Sequence, residues 1–172
     1  STFGLISENK NIETVLCALP EIIAKHPEVV YLVVGKTHPE VLKKDGENYR
    51  NMLIEITRKL QLENNVFFVN EFLELKQLLD YLILSDIYLF ASKDPNQAVS
   101  GTFAYAMSCG CAIISTPIPH AIETLNTGTG ILLDSFDQPK SFQKAIMQLV
   151  ENKKERLAMG RNGYALTHET TW

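Results

Sequence analysis

The chain has 172 residues, 45% of them apolar and 21% charged, with a net charge of −4. That length and balance fit one globular domain with a substantial core. A net negative charge argues against broad nucleic-acid binding, which demands a basic face, and no apolar run approaches the length of a bilayer span. No signal-peptide pattern is seen, and the odd cysteine count leads to the expectation of a cytoplasmic protein.

The three cysteines, Cys17, Cys109 and Cys111, are read as reduced thiols rather than a disulfide framework. Cys109 and Cys111 form a C-x-C pair with only His120 near them. They fall short of a closed zinc set, and small buried hydrophobes is the better reading.

Apolar periods alternate between strand-like and helix-like along the chain. "TFGLI" opens as a short strand, and residues 11–26 follow as a helix. Ile12, Val15, Leu16, Leu19, Ile22 and Ile23 recur there at three and four residues, with a possible kink at Pro20. "VVYLVVG" is a near-continuous β-branched run, the mark of a parallel strand covered on both faces. Next come "GENYRNMLIEITRKLQL" as a helix, "NVFFVN" as a strand, "LELKQLLDYLILS" as a helix and "DIYLFAS" as a strand. "SGTFAYAMSCG" reads as a helix, "CAIIST" and "GILLD" as strands, and residues 139–152 and 153–169 as two closing helices. This alternation predicts an α/β fold, a Rossmann-like three-layer α/β/α arrangement with a mostly parallel sheet of about six strands. In such sheets ligands bind beyond the carboxyl ends of the strands.

The loops at those ends carry the candidates. Lys10 stands at a helix start, either as an anion ligand beside the free N–H groups or as a solvated lysine, with Asn9 or Asn11 as cap. Gly35 permits a sharp turn after the strongest strand, and Lys36 and His38 follow it. His38 reads equally as an ordinary loop residue before Pro39. Ser100 and Thr102 are good caps, Gly101 removes a Cβ where a ligand might approach, and Gly110 closes the helix. The polar loop from Lys93 to Val99 is longer than a mere connection requires. Pro117 and Pro119 stiffen a further loop that carries His120 and Glu123. Nucleophile-elbow, P-loop and G-x-G-x-x-G patterns are absent.

Taken in order, "FGLISENKNIE", "VVYLVVGKTHPE", "NNVFFVN", "SDIYLFAS", "YAMSCGCAIISTP" and "HAIETL" resemble the C-terminal, donor-binding domain of a retaining family 4 (group 1) glycosyltransferase of GT-B architecture. The resemblance covers nearly the whole chain and implies one nucleotide-sugar-binding domain over 1–172, with an N-terminal acceptor domain absent. It implies a UDP- or GDP-sugar as substrate, no cofactor and no metal. The implied reaction moves a hexose onto a glycan or lipid acceptor, as in polysaccharide biosynthesis, and the isolated domain is expected to be inactive. Peripheral membrane association is expected only through the missing half.

Residue by residue, Lys10 matches the second member of a basic pair that neutralises the diphosphate, while the first, commonly arginine, falls on Gly4. Two glutamates that contact sugar and ribose fall on Gln97 and Tyr105. The resemblance thus makes Lys10 and Gln97 the catalytic candidates. The donor-binding set becomes Gly4, Lys10, Gly35, Lys36, Gln97, Ser100, Gly101, Thr102, Tyr105, Thr116 and Glu123. Two rivals stand beside it: a GT-B sugar-nucleotide epimerase, whose carboxylates are not seen, and a degenerate non-catalytic domain that binds nucleotide or protein.

Overall fold

The computed structural model describes residues 1–126 and 128–169. Thr127 of the "NTGTG" turn and Thr170 to Trp172 of the closing "HETTW" lie outside the described residues. The strands are β1 (Thr2–Phe3), β2 (Tyr31–Val34), β3 (Val66–Val69), β4 (Ile87–Phe90), β5 (Ala112–Ser115) and β6 (Gly130–Leu132). Between and after them run α1 (Ile12–Lys25), α2 (Pro39–Asp45), α3 (Asn48–Lys59), α4 (Leu75–Leu84), α5 (Gly101–Ser108), α6 (Pro119–Thr124), α7 (Pro139–Glu151) and α8 (Lys153–Glu169).

The strands pair in parallel as two three-stranded sheets, β1–β2–β3 and β4–β5–β6. Ser1 and Thr2 stitch them together: Leu89 N–H donates to the Ser1 carbonyl at 2.8 Å, and the Thr2 hydroxyl donates to the Leu89 carbonyl at 2.9 Å. Strand order across the molecule is therefore 3-2-1-4-5-6, with the reversal between β1 and β4. The expected strand over 2–6 is shorter in the structure because Gly4, at φ 134°, leaves strand geometry; pairing resumes only as an Ile6–Thr37 bridge.

Period-two alternation divides the strands between two cores. Tyr31 and Val33, Leu89, and Ala112 and Ile114 face one cluster, which α1, α3 and α7 fill with Leu16, Leu53, Phe142 and Leu149. Val34, Tyr88 and Phe90, and Ile113 face the other, which α4 and α5 fill with Leu78, Leu82, Phe103 and Met107. Each of these large buried side chains contributes about 1.5–3 kcal/mol. The result is the three-layer α/β/α arrangement.

Two local outcomes differ from the sequence reading. Helix α2, a segment to which that reading assigned no helix, precedes α3 and ends at Gly46, at φ 63°, with His38 as its N-cap and Pro39 in its first turn. The segment read as a stiffened loop is the short helix α6, because Pro119 occupies the first helical position, where no N–H is needed. Helix α1 runs unbroken through Pro20. Among the described residues, no helix is long and apolar enough to cross a membrane.

Candidate functional site

Two loops meet at the β1/β4 reversal, one after each strand. The first leaves β1 at Gly4, forms a single 3₁₀ turn over Glu8–Lys10, and enters α1 through Asn11. Asn11 adopts a left-handed conformation, φ 51°, which its side chain supports. Its Nδ2 donates to the Phe136 carbonyl at 2.6 Å, and its Oδ1 accepts from the Thr14 hydroxyl at 2.6 Å. The second loop leaves β4 at Ala91 and ends at Ser100, whose hydroxyl caps α5 by accepting from Phe103 N–H at 3.3 Å. Lys93 N–H donates to the Asn9 carbonyl at 3.0 Å, and the Lys93 ammonium pairs with Glu13, so the loops are tied to each other. Glu13 also accepts from the Tyr49 hydroxyl at 2.5 Å, which anchors the pair to α3.

Between them lies an open cleft of about 580 Å³, lined by Gly4, Lys10, His38, Ser92, Asp94, Gln97, Ser100, Gly101, Thr102 and Tyr105 among others. Lys10 is half-buried, and its ammonium lies 5.8 Å from the Phe90 ring centroid. It lies across Gly4: a Cβ there would stand 3.1 Å from Lys10 Nζ. Burial holds the Lys10 pKa below the usual lysine value. Gly4 leaves the cleft floor as bare backbone, at a φ that L side chains rarely adopt.

The α5 N-terminus faces the same cleft, with Gly101 exposed and nothing within 4 Å of where its Cβ would be. Ser100 is itself engaged: its N–H donates to His120 Nδ1 at 3.2 Å, and its hydroxyl lies 3.1 Å from that of Thr102. The His120 ring packs on Phe103 with centroids 4.8 Å apart. Burial lowers the His120 pKa, with Glu123 opposing. That leaves the Gly101 and Thr102 N–H groups and the helix dipole directed at anything negative in the cleft.

Gly4, Lys10, Gln97, Ser100, Gly101, Thr102 and Tyr105, together with His38, are thus brought together. Four expected residues stand apart from the lining. Gly35 is buried behind it, where its Cβ would fall 2.0 Å from the Gly4 carbonyl oxygen; it serves the close approach of β1 and β2. Lys36 is exposed beyond the cleft edge. Thr116 is fully buried and donates to the Ser92 carbonyl at 2.8 Å, pinning β5 beneath the loop. Glu123 is exposed on α6. Ser92, Asp94 and Ser7 line the cleft without having been singled out, although Ser92 and Asp94 lie in or beside the long polar loop. Among the cysteines, Cys111 is buried, donates to the Leu82 carbonyl at 3.1 Å and has its pKa pushed up to about 12 by burial, whereas Cys17 is exposed.

A second cavity, about 350 Å³, lies at the opposite, amino end of the strands between Tyr31, Ile87 and Arg156. It lacks the loops and glycines that the carboxyl end supplies.

The model of the family described as "Glycosyl transferases group 1" matches residues 2–166. The chain belongs to the group 1 glycosyl transferases. It is 30% identical over 162 residues to an uncharacterized glycosyltransferase of Methanocaldococcus jannaschii, spanning 92% of this chain and 38% of that protein. It is 23% identical over 169 residues to a GDP-mannose-dependent mannosyltransferase of Corynebacterium glutamicum that acts on a monoacylated phosphatidylinositol monomannoside, spanning 95% of this chain and 41% of that protein. The chain therefore spans about two fifths of the length of these group 1 relatives. Among solved structures, the C-terminal domain of a group 1 protein from Francisella tularensis superposes with a TM-score of 0.84 at 20% identity, covering 98% of this chain and 83% of that one. The Anabaena protein HepE, solved with UDP and glucose, also gives 0.84 at 20% identity, covering 98% of this chain and 42% of that one. These likenesses establish the Rossmann-like fold of a GT-B C-terminal domain.

Proposed function

We propose that the cleft holds the nucleotide-diphosphate sugar donor of a retaining, metal-independent glycosyltransferase. The observation that carries this reading is Lys10: a half-buried ammonium in no ion pair among the described residues, lying at the β1/β4 reversal beside an open helix N-terminus. A diphosphate supplies the missing negative charge at both groups. As the anomeric C–O bond breaks, charge develops on the leaving diphosphate, and Lys10 with the Gly101 and Thr102 N–H groups stabilises it. Gln97 meets the sugar, and Tyr105, 43% exposed, meets the ribose or base by its hydroxyl or its ring. The acceptor, a glycan or lipid receiving a hexose, is held by a second domain beyond these 172 residues, so this portion alone transfers nothing.

The test is a calorimetric titration with UDP, GDP and their sugars, the nucleotides named for the relatives above. Saturable binding is expected, and its absence at millimolar ligand overturns the reading. A non-catalytic binding module is the second reading, favoured by Gln97 and Tyr105 standing where the resemblance places glutamates. Sugar transfer or donor hydrolysis by the full-length protein separates the two.

A further inference from the structure

The loop between β4 and α5 contains a hydrogen-bond relay that fixes the polarity of one cleft residue. Asp94 N–H donates to Ser92 Oγ at 3.2 Å, and the Ser92 hydroxyl donates to Gln97 Oε1 at 2.7 Å. Ser92 is only 3% exposed, so a hydroxyl proton without an acceptor would be costly there. Gln97 Oε1 is its acceptor among the described residues, and this orients the amide. The oxygen turns inward to Ser92, and the NH₂ group is the end presented to the ligand. That nitrogen makes no hydrogen bond among the described residues, although Gln97 is half-buried and lines the cleft. A glutamate here would offer acceptors; Gln97 held in this way offers donors.

We propose that Gln97 is a specificity-determining residue, selecting a donor sugar that carries a proton-free acceptor, a carboxylate or an acyl carbonyl, over a sugar carrying only hydroxyls. The proposal rests on the donor-site reading above. A carboxylate or acetamido oxygen satisfies the amide N–H and brings no proton of its own to be matched. A hydroxyl accepts from the same N–H but leaves its own O–H to find another acceptor. Ser92 acts through Gln97 and is a positioning residue: without its hydroxyl the amide is free to rotate and present either end.

Calorimetric titration of the chain with UDP-glucose, UDP-glucuronate and UDP-N-acetylglucosamine tests this, with UDP alone as control and GDP-mannose and GDP-mannuronate as guanosine counterparts. One or both acceptor-bearing sugars are expected to bind about tenfold tighter than the neutral hydroxylated sugar, a ratio typical of one extra well-made hydrogen bond. The glucuronate and acetamido arms distinguish the two sources of the acceptor. Gln97→Glu is expected to reverse the ranking, and Ser92→Ala to collapse it, with Ser92→Thr restoring it. Equal affinities for all sugars while UDP or GDP binds would overturn the specificity proposal and leave the donor site standing. Failure of every nucleotide to bind overturns both.

Discussion

Replacing Lys10 by alanine separates phosphate recognition from everything else in the cleft. The ammonium is half-buried, lies over the bare backbone of Gly4 and makes no ion pair among the described residues, so an anion in the cleft would find it unpaired. A hydrogen bond to a charged group contributes about 1.5–3 kcal/mol. Lys10→Ala should therefore weaken UDP and GDP about ten- to a hundredfold. Uridine and guanosine, which lack phosphates, should change less than twofold. Titration calorimetry of the four ligands reads this directly. A companion measurement checks the electrostatic premise without any ligand. Because the folded pKa of Lys10 is lowered below 10.5 by desolvation, the charged form costs stability wherever it is populated in the fold. The cost is complete below the folded pKa and vanishes as pH rises toward the unfolded value. Lys10→Met should consequently match or exceed the parent Tm at pH 7, with the gain fading near pH 10.5. Equal losses for nucleosides and nucleotides, or a Tm drop at pH 7 that persists at high pH, would refute the reasoning.

Other perturbations follow from the same geometry. Gly35→Ala should cost about 3 kcal/mol or prevent folding, because its φ is 135° and its Cβ would meet the Gly4 oxygen at 2.0 Å; urea denaturation measures it. Gly160→Ala should similarly loosen α8, since its Cβ would stand 2.1 Å from the Gly110 oxygen, and lost near-UV dichroism would report this. His120 stands against Ser100 N–H, the Phe103 ring and Glu123, and its folded pKa is lowered. The unfolded chain therefore takes the proton first as pH falls below 6.5, so stability declines there. Tm of the parent should fall more steeply between pH 7 and 5 than that of His120→Ala. UDP affinity should be indifferent to EDTA and to added Mg²⁺; a metal-dependent affinity would contradict the metal-independent reading.

The layers of this fold were legible because burial is periodic. Ile12, Val15, Leu16, Leu19 and Ile22 mark the covered face of α1, and all are buried. The short helices were less legible: α2, capped by His38 and ended at Gly46, was assigned no helix, and Pro119 turns an apparent loop into α6. The loops of the cleft were found because polar, glycine-bearing sequence follows β1 and β4. Their interior wiring was not. Pairs such as Lys93 with Glu13, 80 residues away, or Ser100 with His120 leave no spacing in the sequence, since only the tertiary fold brings them together. For the same reason the sequence does not reveal that Thr116 donates to the Ser92 carbonyl or that Gly35 backs onto the Gly4 carbonyl.

Gly4 links two features that would otherwise look unrelated. A side chain at this position would be strained at φ 134°, and an arginine there would bring a second cation beside Lys10 Nζ, which already stands 3.1 Å from the Cβ position. With glycine, the lysine amine lies down against bare backbone, becomes partly desolvated, and faces the open end of α5. Anion recognition in the proposed donor site therefore depends on one half-buried ammonium and on main-chain N–H groups rather than on a pair of cations. Such a site draws more of its affinity from preorganised dipoles, which salt screens less than exposed charge. UDP affinity should consequently fall only modestly between about 0.05 and 0.5 M NaCl in the parent. In Lys10→Ala, where the dipoles alone remain, it should fall still less. A steep salt dependence that survives Lys10→Ala would place the phosphate-binding charge elsewhere in the chain.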